Sequence, residues 1–296
     1  MQSLALLLLF HLPIAAADYA GADACRTCHP SEFESQSRSA HAHALAPSAA
    51  PQPGEWAFGA GIQAITFVSH PARDTYRELG QTWYRSLNAY AVTPGHRTPD
   101  GIDFRTFDPA ARILRCFSCH STGPPAVDSE DRVVPHELGV RCEVCHAPAA
   151  AHVRNPALNR LRTPATLSAV ALNAFCANCH HLDRVVGEEL LDLRDPATAR
   201  SQPLRLAAAA CFRNAKGRLT CLTCHSPHDP LEQKLETYNA ACQGCHAAPR
   251  HTEPIARRPC AGCHMPSIRL DNLVFTNHQI AVYSPANPIV PLTNRR

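Results

Sequence analysis

Fourteen of the fifteen cysteines stand in pairs separated by two residues, and a histidine follows every pair directly. The seven sites are Cys25/Cys28/His29, Cys116/Cys119/His120, Cys142/Cys145/His146, Cys176/Cys179/His180, Cys221/Cys224/His225, Cys242/Cys245/His246 and Cys260/Cys263/His264. On a helical turn, positions i, i+3 and i+4 share one face, so each motif aims two thiols and an imidazole at a single object. Thiols that add to two vinyl groups, with a nitrogen ligand for iron beside them, are the attachment chemistry of c-type haem. Zinc ribbons also use Cys-x-x-Cys pairs, but they have no need of histidine at the next position. With 18 histidines in 296 residues, chance does not put one there seven times. A disulfide framework has no use for those histidines either.

If the motif histidines are proximal ligands, the other axial position decides what each iron does. A filled sixth position leaves an iron that only passes electrons, and an open one binds substrate. Besides the proximal set and His11, ten histidines remain as distal candidates: His41, His43, His70, His96, His136, His152, His181, His228, His251 and His278. Of the two methionines, Met1 starts the chain and Met265 adjoins proximal His264. The sequence therefore predicts mostly bis-histidine irons, with no methionine to raise their potentials. Cys211 is the cysteine left over; it is a candidate thiolate ligand or extra haem link, set against an ordinary half-buried thiol.

The elements that must position these groups are short. From Asp18 onward there are about 40 residues for each motif, aromatics make up 6% of the chain and proline is abundant at 26 residues. Side chains alone would build a thin interior, and porphyrins would add the missing apolar surface. The expected fold is mainly α with little regular structure: short helices and loops wrapped around a row of covalent haems, with a small β insert near residues 60–90. Net charge is +3 without a block of like charges, so nothing points to nucleic acid.

Residues 1–17 form a short apolar run ending in Ala15-Ala16-Ala17, which predicts a secretory signal peptide, although the run lacks Lys or Arg at its start. Residues 18–296 then form one multihaem domain, with a motif-free insert over 46–113 and dense attachment sites over 114–296. The run is too short for a comfortable membrane span and none follows it, so no anchor is expected in the mature chain. In the insert, 47–61 reads as loop, Ala64-Ile65-Thr66-Phe67-Val68 as strand, and Gln81-Thr82-Trp83-Tyr84 as strand or helix start. Both tryptophans of the chain lie there. Residues 166–181 and 199–211 read as helices.

Several motifs recur in an order that resembles cytochromes of the c-552/c-554 type. After the first attachment site come Phe33, Ser39 and His41, matching the aromatic and the Ser-x-His of that family, with Gln36 where its Trp would stand. Gly139-Val140-Arg141-Cys142-Glu143-Val144-Cys145-His146-Ala147-Pro148 and His152 match Gly-Val-x-Cys-Glu-x-Cys-His-Gly-Pro-x-x-x-His except at Ala147. Leu219-Thr220-Cys221-Leu222-Thr223-Cys224-His225-Ser226-Pro227-His228 matches Leu-Thr-Cys-x-Thr-Cys-His-x-Pro-His. Cys260 to Pro266 with Phe275-Thr276-Asn277-His278 resembles the closing Cys-x-x-Cys-His-Met-Pro and Phe-Thr-Asp-His. The resemblance implies that His41, His152, His228 and His278 are distal ligands. His43 competes with His41, and His70, His96, His136, His181 and His251 stay open.

The function expected from all this is electron transfer by a periplasmic or extracellular protein carrying about seven c-type haems. Its partners would be other cytochromes or a membrane quinol-linked complex, and it could assemble with further copies. The rival expectation is a multihaem oxidoreductase in which one open haem acts on a small nitrogen or sulfur compound. No attachment site has Lys in place of His, which argues against one class of such reductases.

Overall fold

The motif-free residues have no porphyrin to pack against, so they must bury their surface with their own side chains, and they do so as a sheet. The structure is a computed structural model that describes residues 18–49, 52–106, 112–180, 192–247, 251 and 255–292; the expected signal segment and His181 lie outside them. After α1 (Pro30–Ser37) come β1 (Leu45–Pro47), β2 (Trp56–Phe58), β3 (Ala64–Ala72), β4 (Thr75–Tyr84), β5 (Ala89–Val92) and β6 (Ile102–Arg105). They make one antiparallel sheet in the order β1-β2-β3-β4-β5, with β6 also paired to β4. In β4, Tyr76, Thr82 and Tyr84 are buried while Arg77 and Gln81 face water, the alternation of a half-buried strand. A chain of hydroxyls, Thr66 to Thr82 at 2.9 Å and Thr82 to Thr93 at 3.0 Å, satisfies the polar groups along the buried face.

The expectation of a mainly α fold is therefore corrected. The β region extends over 45–105 rather than 60–90, the stretch read as loop contains β2, and Gln81–Tyr84 is strand. Smaller antiparallel pairs follow, β7 (Ser121–Thr122) with β10 (Glu137–Leu138), β8 (Ala126–Val127) with β9 (Val133–Val134), and the hairpin β11 (Ser267–Leu270) with β12 (Leu273–Thr276). The physical reason is that a thin composition averaged over the whole chain hides one segment dense in β-branched and aromatic residues.

The sheet packs on α2 (Arg112–His120). Leu45, Phe58, Val68, Tyr76, Ile113, Phe117 and Val133 form a buried cluster, flanked by Trp56, Phe104 and Leu114. Phe117 is its hub, edge-on to Phe58 at 5.1 Å and to Trp56 at 5.4 Å. Elsewhere the helices are short: α3 (Cys142–His146), α4 (Ala150–Arg154), α5 (Ala169–Ala177), α6 (Gln202–Ala208), α7 (Ala210–Asn214), α8 (Asn239–Gln243) and α9 (Cys260–His264). Helices of one or two turns do not persist alone, so tertiary contacts and whatever the motifs hold must fix them. The helix expected over 199–211 breaks at Ala209, whose ψ of 132° is extended.

Candidate metal centres

Every motif forms the turn its spacing requires. The histidine N–H returns to the carbonyl of the first cysteine at 2.9 Å in His29, His180 and His246 and at 3.0 Å in His225, while the second, third and seventh motifs end or make up α2, α3 and α9. No two of the fifteen cysteines are joined as a disulfide. Among the described residues no three His, Cys, Asp or Glu side chains converge as a cage for a bare metal ion, which a zinc ribbon would require.

The imidazoles are arranged in facing pairs. Proximal His180 faces His41 with ring centres 6.0 Å apart, His146 faces His228 at 6.2 Å, His225 faces His278 at 6.2 Å, and His264 faces His251 at 5.9 Å. An iron between two imidazoles, about 2 Å from each ring nitrogen and about 1 Å more to each ring centre, would separate the centres by about 6 Å. The residues present fit iron held between paired histidines. His120 packs against Phe58, with ring centres 5.4 Å apart.

Backbone carbonyls set the orientation of many of these rings. Nδ1 of His120 meets Ala44 O at 2.9 Å, that of His264 meets Ala281 O at 2.9 Å, that of His146 meets Arg162 O at 3.3 Å, and that of His278 meets Thr276 O at 3.0 Å. Such a bond fixes the tautomer with the proton on Nδ1 and leaves Nε2 as a free lone pair. Burial keeps His41, His120, His146, His180 and His225 below the usual imidazole range and pushes His278 down to about 4, so the rings are neutral, as metal ligation requires.

The other candidates sit differently. His152 has Nδ1 on Asn159 O at 2.8 Å, and His70 Nε2 is buried without a partner beside the Tyr76 ring at 4.7 Å. His43 is exposed, and His136 packs on Tyr19 at 5.3 Å. His96 uses both nitrogens, Nδ1 on Asp100 O at 3.1 Å and Nε2 on Glu78 Oε2 at 3.0 Å.

The motifs also touch one another. Thiols of different motifs lie close together in pairs, Cys25 with Cys142, Cys119 with Cys179, Cys176 with Cys221 and Cys242 with Cys260. Cys145 is within electrostatic reach of Cys176, and Cys224 of Cys242. In chain numbering the sites thus run first, third, fourth, fifth, sixth, seventh, with the second attached to the fourth. Cys211, its thiol pushed up by burial, lies near Cys224 and Cys245.

Cys28 and Cys263, the second cysteines of the first and seventh sites, are exposed. Cys28 sits on the open turn before α1, its N–H bonded to Cys25 O at 3.2 Å, and Cys263 lies in the single turn of α9. Cys116, Cys179 and Cys245 are exposed as well, and Cys179 lies close to Cys119 of the neighbouring site.

Two acidic residues hold the first and third sites together, and sequence reasoning missed both. Glu143, buried between the cysteines of the third motif, accepts from Ala20 N at 3.0 Å, Gly21 N at 2.8 Å and Ala149 N at 2.9 Å, and Glu137 accepts from Ala22 N at 3.0 Å. An acidic residue inside a Cys-x-x-Cys-His turn was the available signal. Gln36 is buried and donates to Val140 O at 2.7 Å, tying α1 to the same place. Gly139, at φ +75°, lies so close to His41 and Ala42 that a Cβ would sit 2.1 Å from Ala42 O. That close approach lets Val140 N bond His41 O at 2.8 Å and fixes the backbone that carries His41.

The family described as Cytochrome c554 and c-prime matches residues 82–147, the span that contains the second and third sites. No curated protein matches the chain in sequence. Among solved structures, the outer cell wall cytochrome OcwA is similar with a TM-score of 0.61 at 15% identity, over 91% of this chain and 81% of its own. The undecahaem cytochrome from the S-layer of Carboxydothermus ferrireducens gives a TM-score of 0.51 at 16% identity, over 92% of this chain and 53% of its own.

Proposed function

We propose, for a chain with the fold of multihaem c-type cytochromes, that it is an exported electron carrier with seven covalent haems, mostly bis-histidine and of low potential. The observation that carries this reading is that neighbouring thiols link all seven motifs into one branched row, which would bring successive cofactors close together. Haem supplies a reversible one-electron change at iron. The chain does the rest. Its fourteen paired cysteines attach. The seven motif histidines ligate one face, and His41, His228, His278 and His251 ligate the other face opposite His180, His146, His225 and His264. His152 and His70, each with a free Nε2, are the next candidates, followed by His43, His136 and His181, while His96 keeps its two hydrogen bonds.

Electrons would enter and leave at the ends of the row, the first and seventh sites, and at the branch formed by the second. Other cytochromes or a quinol-linked complex are suitable partners. The apolar run 1–17 and the outer cell wall and S-layer names of the similar structures support export. No helix among the described residues is long and apolar enough to cross a membrane.

The test is haem content by pyridine haemochrome and mass, followed by low-temperature EPR and carbon monoxide on the reduced protein. Seven haems, at least four of them low-spin, are expected. Fewer than four low-spin irons would sink the pairing. A high-spin haem that binds carbon monoxide would turn the reading toward the oxidoreductase acting on a small nitrogen or sulfur compound.

A further inference from the structure

The largest fully buried side chain is a charge. Arg205 lies in α6 within Leu204-Arg205-Leu206-Ala207-Ala208, a run otherwise apolar, and it has no exposed surface. Its partners are neutral: Nη1 donates to Asn277 Oδ1 at 3.1 Å, and Nη2 to Thr198 Oγ1 at 2.6 Å, Leu193 O at 2.9 Å and Asp195 O at 3.3 Å. Nε is buried and has no partner. The Asp195 carboxylate is near enough to act on the guanidinium electrostatically, but its oxygen caps the next turn by accepting from Ala197 N at 2.8 Å. A buried guanidinium without a contacting carboxylate is costly, and its neutral partners leave its charge in place.

Its position says which site feels that charge. Asn277 precedes His278, whose ring faces His225, and the charge of Arg205 reaches His278. Asn277 is fully buried, and its remaining bonds are also to neutral groups, Pro288 O at 2.8 Å and Gln279 N at 3.0 Å. In the resembling Phe-Thr-Asp-His motif this position is an aspartate, so here a neutral amide stands where a carboxylate would cancel the arginine.

We propose that Arg205 is the buried charge that tunes the fifth site, and that it raises the reduction potential of that site because no carboxylate among the described residues contacts it. Reduction adds an electron to the centre, and a fixed buried positive charge stabilises the added electron in a low-dielectric surround. Asn277 is part of the device because it orients the guanidinium without neutralising it.

This inference rests on the pairing of His225 with His278, and the experiment separates the two. Redox titrations followed by EPR are run on the holoprotein and on the N277D, R205Q and H278M variants, the last serving to mark which midpoint belongs to the fifth site. N277D and R205Q should both lower that marked midpoint, by at least tenfold in its one-electron equilibrium, or 59 mV. The other midpoints and the low-spin signal of the fifth site should stay. A marked midpoint that is unmoved or raised in N277D, or a shift spread over all the haems, overturns the proposal. If R205Q loses haem or fails to fold, N277D alone decides. If H278M changes no spectrum, the histidine pairing is what has failed.

Discussion

The clamp at Glu143 gives the sharpest test of how the first and third sites are held. Its carboxylate is buried and serves three backbone amides, those of Ala20, Gly21 and Ala149. A glutamine in its place keeps one acceptor oxygen but turns an NH2 toward a backbone donor. One charged hydrogen bond is lost and one buried N–H is left unpaired, which costs about 2–3 kcal/mol. For a chain of this size that corresponds to a fall of roughly 5–10 °C in Tm. An E143L change would strand all three amides at about 1–3 kcal/mol each, a large part of the roughly 5–15 kcal/mol that stabilises a domain. The assay is thermal unfolding of the haem-loaded protein together with amide hydrogen exchange at Ala20 and Gly21. Exchange there should quicken about 30-fold or more in E143Q, since each 1.4 kcal/mol is a factor of ten. A variant within about 0.5 kcal/mol of the parent, with unchanged exchange at those amides, would refute the clamp.

Three further outcomes are expected. Phe117→Ala removes the hub of the side-chain core beneath the second site and should cost about 3–5 kcal/mol in denaturant unfolding, whereas Leu158→Ala, 81% exposed, should change nothing measurable. Gly139→Ala forces a Cβ onto Ala42 O at a left-handed backbone position; it should cost roughly 3 kcal/mol and disturb the EPR signal of the iron between His41 and His180. His228→Ala should convert one low-spin iron to a high-spin one that binds carbon monoxide. His96→Ala should leave the spin count intact and lose only its bonds to Glu78 and Asp100, about 1–2 kcal/mol in all.

The turn formed by each motif was legible in the sequence because its geometry is local. Two thiols and an imidazole at i, i+3 and i+4 meet on one turn whatever surrounds them, and Cys260 to His264 needs nothing from the rest of the chain to present that face. The candidates for the second ligand were legible as a set of histidines but not as pairs. His41 and His180 are 139 positions apart in the chain and meet only because Gly139 and Gln36 hold the backbone around residues 36–42 against the third site. Composition misled about the fold, since a scarcity of aromatics averaged over the chain hid a sheet built where no motif occurs, and that sheet is what seats His120 through Phe58 and Phe117. Tertiary structure alone decided the order of the sites and the burial of Arg205. Which thiol lies beside which, and which charge is shut away from water, depend on contacts between residues far apart in the chain, and local spacing carries no record of them.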